Sequence, residues 1–195
     1  MRRRLASVRR RGTQVALTLS VEAPMGRRTL SVRVPLSLYA EAGEPLEGES
    51  VSEETYRLLF LEEDRMECRR RAARIQGISP NSENALLQKL ALRGFPRDVA
   101  EEAIGALVSL GYLDESDQLS RLVELAAKKY WPRKKTVLAL LRKGYRREDI
   151  LSHLDLVGYS DAELARRLVA AKLPLCATDE ETQLLLARYG FRQEE

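Results

Sequence analysis

Apolar residues follow two different periods along this chain. Val15, Leu17, Leu19 and Val21 alternate with polar or small residues, and Leu30, Val32, Val34 and Leu36 do so again beyond Ala23-Pro-Met-Gly26. Period two on both sides of a Pro/Gly turn predicts a β-hairpin. Two strands alone are marginal, so the hairpin needs a further strand or a helix against its apolar face. Glu41 to Ser52, with Gly43, Pro45 and Gly48, reads as a linker or short turn. From Ser50 onward the spacing is helical, and it predicts helices over about 51–76, 80–93, 96–110, 115–130, 132–143, 146–156, 160–172 and 178–189. Ser50 with Glu53, Ser160 with Glu163 and Thr178 with Glu181 fit the capping box. Pro80 and Pro132 suit the first helical position, where a missing N–H costs nothing.

The helical part repeats. Leu90-Ala-Leu-Arg-Gly94-Phe95 has a counterpart in Leu140-Leu-Arg-Lys-Gly144-Tyr145 and another in Leu186-Ala-Arg-Tyr-Gly190-Phe191. Glycine at a helix end supplies a left-handed backbone, and the aromatic after it can fold back on the preceding turn. Three such turns in register predict a tandem three-helix unit. The expected fold is mostly α: three-helix repeats in an elongated, curved array, with an N-terminal β-hairpin extension. The expected divisions are a basic arm and hairpin over 1–48, repeats over 49–112 and 113–158, and a third over 159–195 lacking its last helix.

Composition narrows the function classes. Charged residues make up 32% of the 195 and hydrophobic ones 44%, which fits neither a disordered chain nor a membrane protein. No apolar run reaches the roughly 18 residues of a membrane span. The start, Met1-Arg-Arg-Arg-Leu5, leads into more arginines rather than the apolar core of a secretory signal. Cys68 and Cys176 stand 108 positions apart without a CxxC or a paired histidine, so neither a disulfide framework nor a metal site is expected, and a reducing cytoplasm is.

The net charge of +4 hides a strong asymmetry. Residues 1–40 hold nine Arg against Glu22, and residues 41–64 hold nine acids against Arg57. Residues 121–149 hold ten Lys or Arg against Glu124, Glu148 and Asp149. Basic blocks attract polyanions or acidic protein faces, and the acidic block orients the same ligand by repulsion.

Catalytic chemistry finds no support. His153 falls beside core positions, and neither cysteine has a histidine close in sequence to activate it. Glu53-Glu54, Glu62-Glu63-Asp64 and Glu101-Glu102 are adjacent acids on helices and are expected to face solvent. No phosphate-loop, dinucleotide or zinc-protease motif occurs, and no cofactor or metal is expected. The candidate contacts are instead basic. Lys128, Lys129, Arg133, Lys134 and Lys135 surround Tyr130-Trp131, while Arg142, Lys143, Arg146 and Arg147 surround Gly144-Tyr145. Cations beside aromatics can grip phosphates while the rings stack bases; alternatively the rings pack on a neighbouring helix and the cations only flank them. At the 50-residue offset Arg93 and Arg97 fall on Lys143 and Arg147, and with Lys89 they form the first-repeat equivalents.

These residues together resemble the RecX family, regulators of the bacterial recombinase RecA. The likeness is carried by Arg69-Arg-Arg-Ala-Ala-Arg74, Leu86-Leu-Gln-Lys-Leu-Ala-Leu-Arg-Gly-Phe95, Leu107-Val-Ser-Leu-Gly-Tyr-Leu-Asp114 and Pro132-Arg-Lys-Lys-Thr-Val-Leu-Ala-Leu-Leu-Arg-Lys-Gly-Tyr145. It covers residues 65–155 well, and the N-terminal part looks like the β-containing extension of longer members. Departures are Asp114-Glu-Ser-Asp-Gln-Leu-Ser, where the family has a more acidic arm, and Tyr130-Trp-Pro132 at the entry to the next helix. The resemblance implies a non-catalytic, monomeric regulator seated in the groove of the RecA–single-stranded DNA filament. There it would restrain ATP hydrolysis, strand exchange and filament growth. Two other readings stand beside it: a helical protein that binds nucleic acid alone, and a protein-binding scaffold without DNA affinity.

Overall fold

A computed structural model describes residues 2–173 and 178–191. Cys176 lies outside the described residues. The chain is mostly helical behind an N-terminal antiparallel sheet, and it divides into two compact units. The first holds residues 1–80 and 84–113, the second 81–83 and 114–195.

In the first unit the sheet has three strands in the order β1 (Arg3–Arg11), β2 (Gln14–Ala23) and β3 (Gly26–Pro35). The expected hairpin is β2–β3. The expected basic arm is instead β1, which hides its period for a physical reason. A register shift between Leu5 and Ser7 makes Ala6 the extra residue of a bulge, so the inward positions become Arg3, Leu5, Val8 and Arg10. Two of those four are cations lying over tyrosines: Arg3 sits 3.6 Å from the centre of the Tyr56 ring and Arg10 5.4 Å from that of Tyr39. The inner face of β2 and β3 buries Val15, Leu17, Leu19, Val21, Leu30 and Val34 against Tyr39, Tyr56, Leu59 and Phe60.

Tyr39 comes from helix α1 (Leu36–Glu41) and Tyr56 with Leu59 from helix α2 (Glu53–Leu59). Helix α1 is not among the expected elements, and the linker begins directly after it, within one residue of the expected Glu41. The capping serine is Ser52, whose Oγ accepts the Thr55 N–H at 3.1 Å, rather than Ser50, which pairs with Arg4. The helix expected over 51–76 is two: α2 breaks at Phe60, which is fully buried in the sheet core, and α3 (Leu61–Ile78) follows.

Helices α3, α4 (Glu83–Leu92) and α5 (Arg97–Ser109) enclose a second core of Cys68, Ala72, Leu86, Leu90, Phe95, Val99, Ala100, Ala103 and Ile104. Pro80 does not open α4. It ends α3 by forcing Ser79 to φ −155° and ψ 130°, and the helix resumes only at Glu83.

The second unit contains α6 (Glu115–Lys128), α7 (Arg133–Arg142), α8 (Arg147–Leu156), α9 (Asp161–Lys172) and α10 (Asp179–Tyr189). Its core is Leu119, Val123, Val137, Leu140, Tyr145, Ile150 and Leu154. The expected cap at Thr178–Glu181 is a full capping box; at Ser160 the hydroxyl accepts the Glu163 N–H. His153 is half-buried, with Nε2 2.6 Å from Ser120 Oγ.

The Gly-aromatic helix ends share one hydrogen-bond pattern. The N–H groups of Phe95, Tyr145 and Phe191 donate to the carbonyls of Leu90, Leu140 and Leu186, and each glycine donates to the next carbonyl along. At the end of α6 the same two bonds run from Trp131 to Ala126 and from Tyr130 to Ala127. There Tyr130, at φ 53°, holds the left-handed position a glycine holds elsewhere.

Among the described residues no helix is long and apolar enough to cross a membrane, and no cluster of His, Cys, Asp or Glu is placed to hold a metal.

Candidate nucleoprotein interface

Helix α7 carries most of the expected contacts, and its two faces differ sharply. Thr136, Val137 and Leu140 are buried. Lys134, Lys135, Leu138 and Arg142 are exposed and fall within about 100° of one another around the axis. The result is a cationic stripe, with Leu138 at its middle, along a ten-residue helix roughly 15 Å long.

The start of α7 works against local preference. Its first turn holds Arg133, Lys134 and Lys135 and no acid, where each cation loses about 0.3–1 kcal/mol against the helix dipole. One carboxylate relieves this: Asp161, at the start of α9, accepts the Arg133 N–H at 2.6 Å. The Arg133 side chain is also engaged, pairing with Asp155 at 2.6 Å. It is therefore a structural cation more than a free contact.

Around that start the aromatics take defined places. Lys129 and Lys135 put their ammonium groups 5.4 and 5.1 Å from the Trp131 ring centre. Tyr130 meets Tyr189 edge-on at 6.4 Å. At the far end of α7, Lys143, Arg146 and Arg147 are exposed around the buried Tyr145, whose hydroxyl donates to Gln118 at 3.1 Å. Burial, with Glu115 adding, pushes the Tyr145 hydroxyl up to about 12, so it stays a neutral donor. Among the described residues no ion pair engages Lys128, Lys134, Arg142, Lys143, Arg146 or Arg147.

Arg93 and Arg97, the cations at the 50-residue offset, lie in the other unit and are engaged. Arg97 pairs with Glu101 at 2.7 Å, and Arg93 donates to the Lys89 carbonyl at 2.8 Å. The fold sets Arg93 beside Arg27 and Arg71 in a polar basin of about 310 Å³ at the tip of β2–β3. No sequence spacing pointed to that meeting.

Among the charged residues Asp64 departs furthest from its expected place. It was expected to face solvent within an acidic run, yet it is fully buried. Arg28 of β3 forms a two-pronged ion pair with it, one prong at 3.1 Å, and the Tyr56 hydroxyl donates to it as well. Arg28 also donates to the Gly94 carbonyl at 3.0 Å and lies 4.2 Å from the Phe95 ring centre. Burial would lower the Arg28 guanidinium, but Asp64 outweighs it and raises it. Nearby, burial lifts the Cys68 thiol to about 12, which removes it as a nucleophile at neutral pH.

Glu115 accepts the Glu83 N–H at 2.6 Å, and burial, aided by Glu83 and Asp149, raises its carboxyl above the ordinary range. A raised acid gains stability as pH falls, because the folded chain takes the proton first. The gain begins at the folded value, above the usual glutamate range, and is complete below the unfolded one. Glu115→Gln is expected to remove that rise, which urea unfolding at a series of mildly acid pH values would detect; an unchanged pH profile would contradict it.

The chain matches no protein-family model and no curated protein sequence. Its structure is similar to the crystal structure of regulatory protein RecX, with a TM-score of 0.54 over 97% of this chain and 95% of that one. Sequence identity between the two is 15%. The likeness is therefore one of fold: a RecX-like, mostly helical chain behind a three-stranded antiparallel sheet.

Proposed function

We propose that this chain is a non-catalytic regulator that binds the RecA–single-stranded DNA filament and inhibits its ATPase, strand exchange and growth. The reading is carried by the fold match, which spans nearly the whole of both chains and so includes the N-terminal sheet as well as the helices. The cationic face of α7 supports it, since a filament presents phosphates and acidic protein surface together. In this reading the repeats over 49–112, 113–158 and 159–195 are successive footholds of one cytoplasmic monomer. Lys128, Lys129, Lys134, Lys135, Arg142, Lys143, Arg146 and Arg147 make the second foothold, and Lys89, Arg93 and Arg97 the first.

The test titrates the full chain into RecA's single-stranded-DNA-dependent ATPase, beside gel shifts on naked DNA at low and moderate salt. Inhibition well below the concentration that shifts DNA is the expected result. Lys134→Glu with Arg142→Glu should raise the inhibitory concentration about tenfold or more, as for paired charges moved from attraction to repulsion. Both side chains are exposed, so stability should stay within about 0.5 kcal/mol of the parent. An unaffected ATPase together with strong, salt-steep binding to naked DNA would overturn the reading in favour of a stand-alone nucleic-acid-binding protein.

A further inference from the structure

The arginines of the sheet sort by face. Those pointing inward are each held: Arg3 by Glu53 at 2.5 Å, Arg10 by Glu44 at 2.6 Å, and Arg28 by Asp64. The outer face follows from the register, in which Gln14, Ala16, Thr18, Ser20 and Glu22 of β2 lie opposite the inward Val15, Leu17, Leu19 and Val21. Their partners are Arg11, Arg9, Ser7 and Arg4 on β1, and Pro35, Arg33, Ser31, Thr29 and Arg27 on β3. Arg4, Arg9, Arg11, Arg27 and Arg33 are exposed, and none makes an ion pair among the described residues. The single carboxylate among the strand residues of that face is Glu22, opposite Arg27, while Glu63 and Glu67 of α3 border its edge at Ser31 and Thr29 beside Arg70 and Arg71.

Three of these cations enclose a basin. Arg9, Arg11 and Arg33 surround a depression of about 220 Å³ whose floor is Ala16 and Gln14. Ala16 stands between Arg9 and Arg33 in the register, and two strand spacings put those arginines roughly 10 Å apart at the backbone. Guanidinium groups on arms of that length can close on one anionic group, and the small alanine lets it approach the sheet. From the basin a row of hydroxyls, Ser7, Thr18, Ser31, Ser20 and Thr29, leads along the strands toward Arg4 and Arg27. Arg33 to Arg27 spans roughly 20 Å, the length of several phosphates.

We propose that this outer face binds the phosphodiester backbone of single-stranded nucleic acid. Guanidinium and hydroxyl donors are the groups that contact phosphate oxygens without reading sequence. The face has no aromatic ring to stack a base and no large aliphatic side chain to enter a lipid layer or anchor a protein interface. A flexible strand can follow a twisted sheet, whereas a duplex, stiff over about 50 nm, stays straight and cannot follow the twist. The inference concerns naked strands and does not depend on the recombinase reading.

The experiment measures anisotropy of a labelled oligothymidylate on the full chain across a salt series. Arg9→Glu with Arg33→Glu is compared with the parent, and Arg9→Ala with Arg33→Ala is the milder pair. Thermal unfolding confirms that both variants fold. The expected result is at least tenfold weaker binding for the glutamate pair. For the alanine pair the log–log salt slope should be shallower by about 1.4, the loss of two phosphate contacts on a single strand. Unchanged affinity and slope in folded variants would overturn the proposal. So would a parent chain that ignores the oligonucleotide, or equal or tighter binding to a labelled duplex of the same length.

Discussion

Asp64→Ala is expected to lose about 3–5 kcal/mol of stability, the usual cost of stripping one partner from a buried ion pair. Asp64 is wholly buried and serves two donors at once, the Arg28 guanidinium and the Tyr56 hydroxyl. Without it Arg28 stays a cation with little solvent around it, its side chain only 11% exposed. Two neighbours would remain to it, Glu67 at 3.4 Å and the Gly94 carbonyl, and neither replaces a two-pronged carboxylate. The loss should appear in urea unfolding followed by ellipticity. Replacing both partners, Arg28→Met with Asp64→Leu, should recover part of it, because no charge is then left buried although the Tyr56 hydroxyl still loses its acceptor. A single Asp64→Ala variant within about 0.5 kcal/mol of the parent would show that the pair behaves like a surface bridge, and would remove this account of how β3 is tied to α3.

Gly94→Ala should destabilise far more than Gly158→Ala, although both glycines end helices in the left-handed region, at φ 84° and 61°. At Gly158 an added Cβ meets nothing within 4 Å, so only the backbone strain of roughly 1–2 kcal/mol is expected. At Gly94 the same strain is joined by a clash, because the new Cβ would lie 2.7 Å from the Ala23 Cβ. That atom cannot rotate away, so the β2–β3 turn or the end of α4 has to move, at about 1–3 kcal/mol more. The shift would also pull on Met25 N–H to the Leu92 carbonyl, 3.1 Å, and on Arg28 to the Gly94 carbonyl. Unfolding midpoints of the two variants decide the matter; equal losses would mean that the hairpin tip yields freely.

The candidate interface was only half legible in advance. Lys135 and Arg142, seven apart, share a helix face as their spacing predicts, but the buried side is Thr136, Val137 and Leu140 rather than Val137, Leu138 and Leu141, so Leu138 stands among the cations. Arg133 was grouped with them by proximity alone. Its diversion to Asp155 and Asp161 depends on where α8 and α9 come to lie, which local pattern does not encode. The outer face of the sheet was missed for a related reason. Arg9 and Arg11 look like a tail of charge until the pairing with β2 sets Arg9, Ala16 and Arg33 side by side.

The sequence alone determined the elements whose signal is local. These are the β2–β3 hairpin from its period of two, most helices from their apolar stripes, and the helix ends from Gly-aromatic pairs, whose backbone conformation few other residues adopt. Tertiary structure decided what depends on partners distant in the chain. β1 became a strand although a bulge breaks its alternation, because pairing with β2 satisfies its backbone and tyrosine rings cover its inward arginines. Asp64 went inside although its neighbours Glu62 and Glu63 did not, because Arg28, thirty-six residues earlier, meets it there. A charge is buried only where another chain segment compensates it, and that segment's position is a property of the fold.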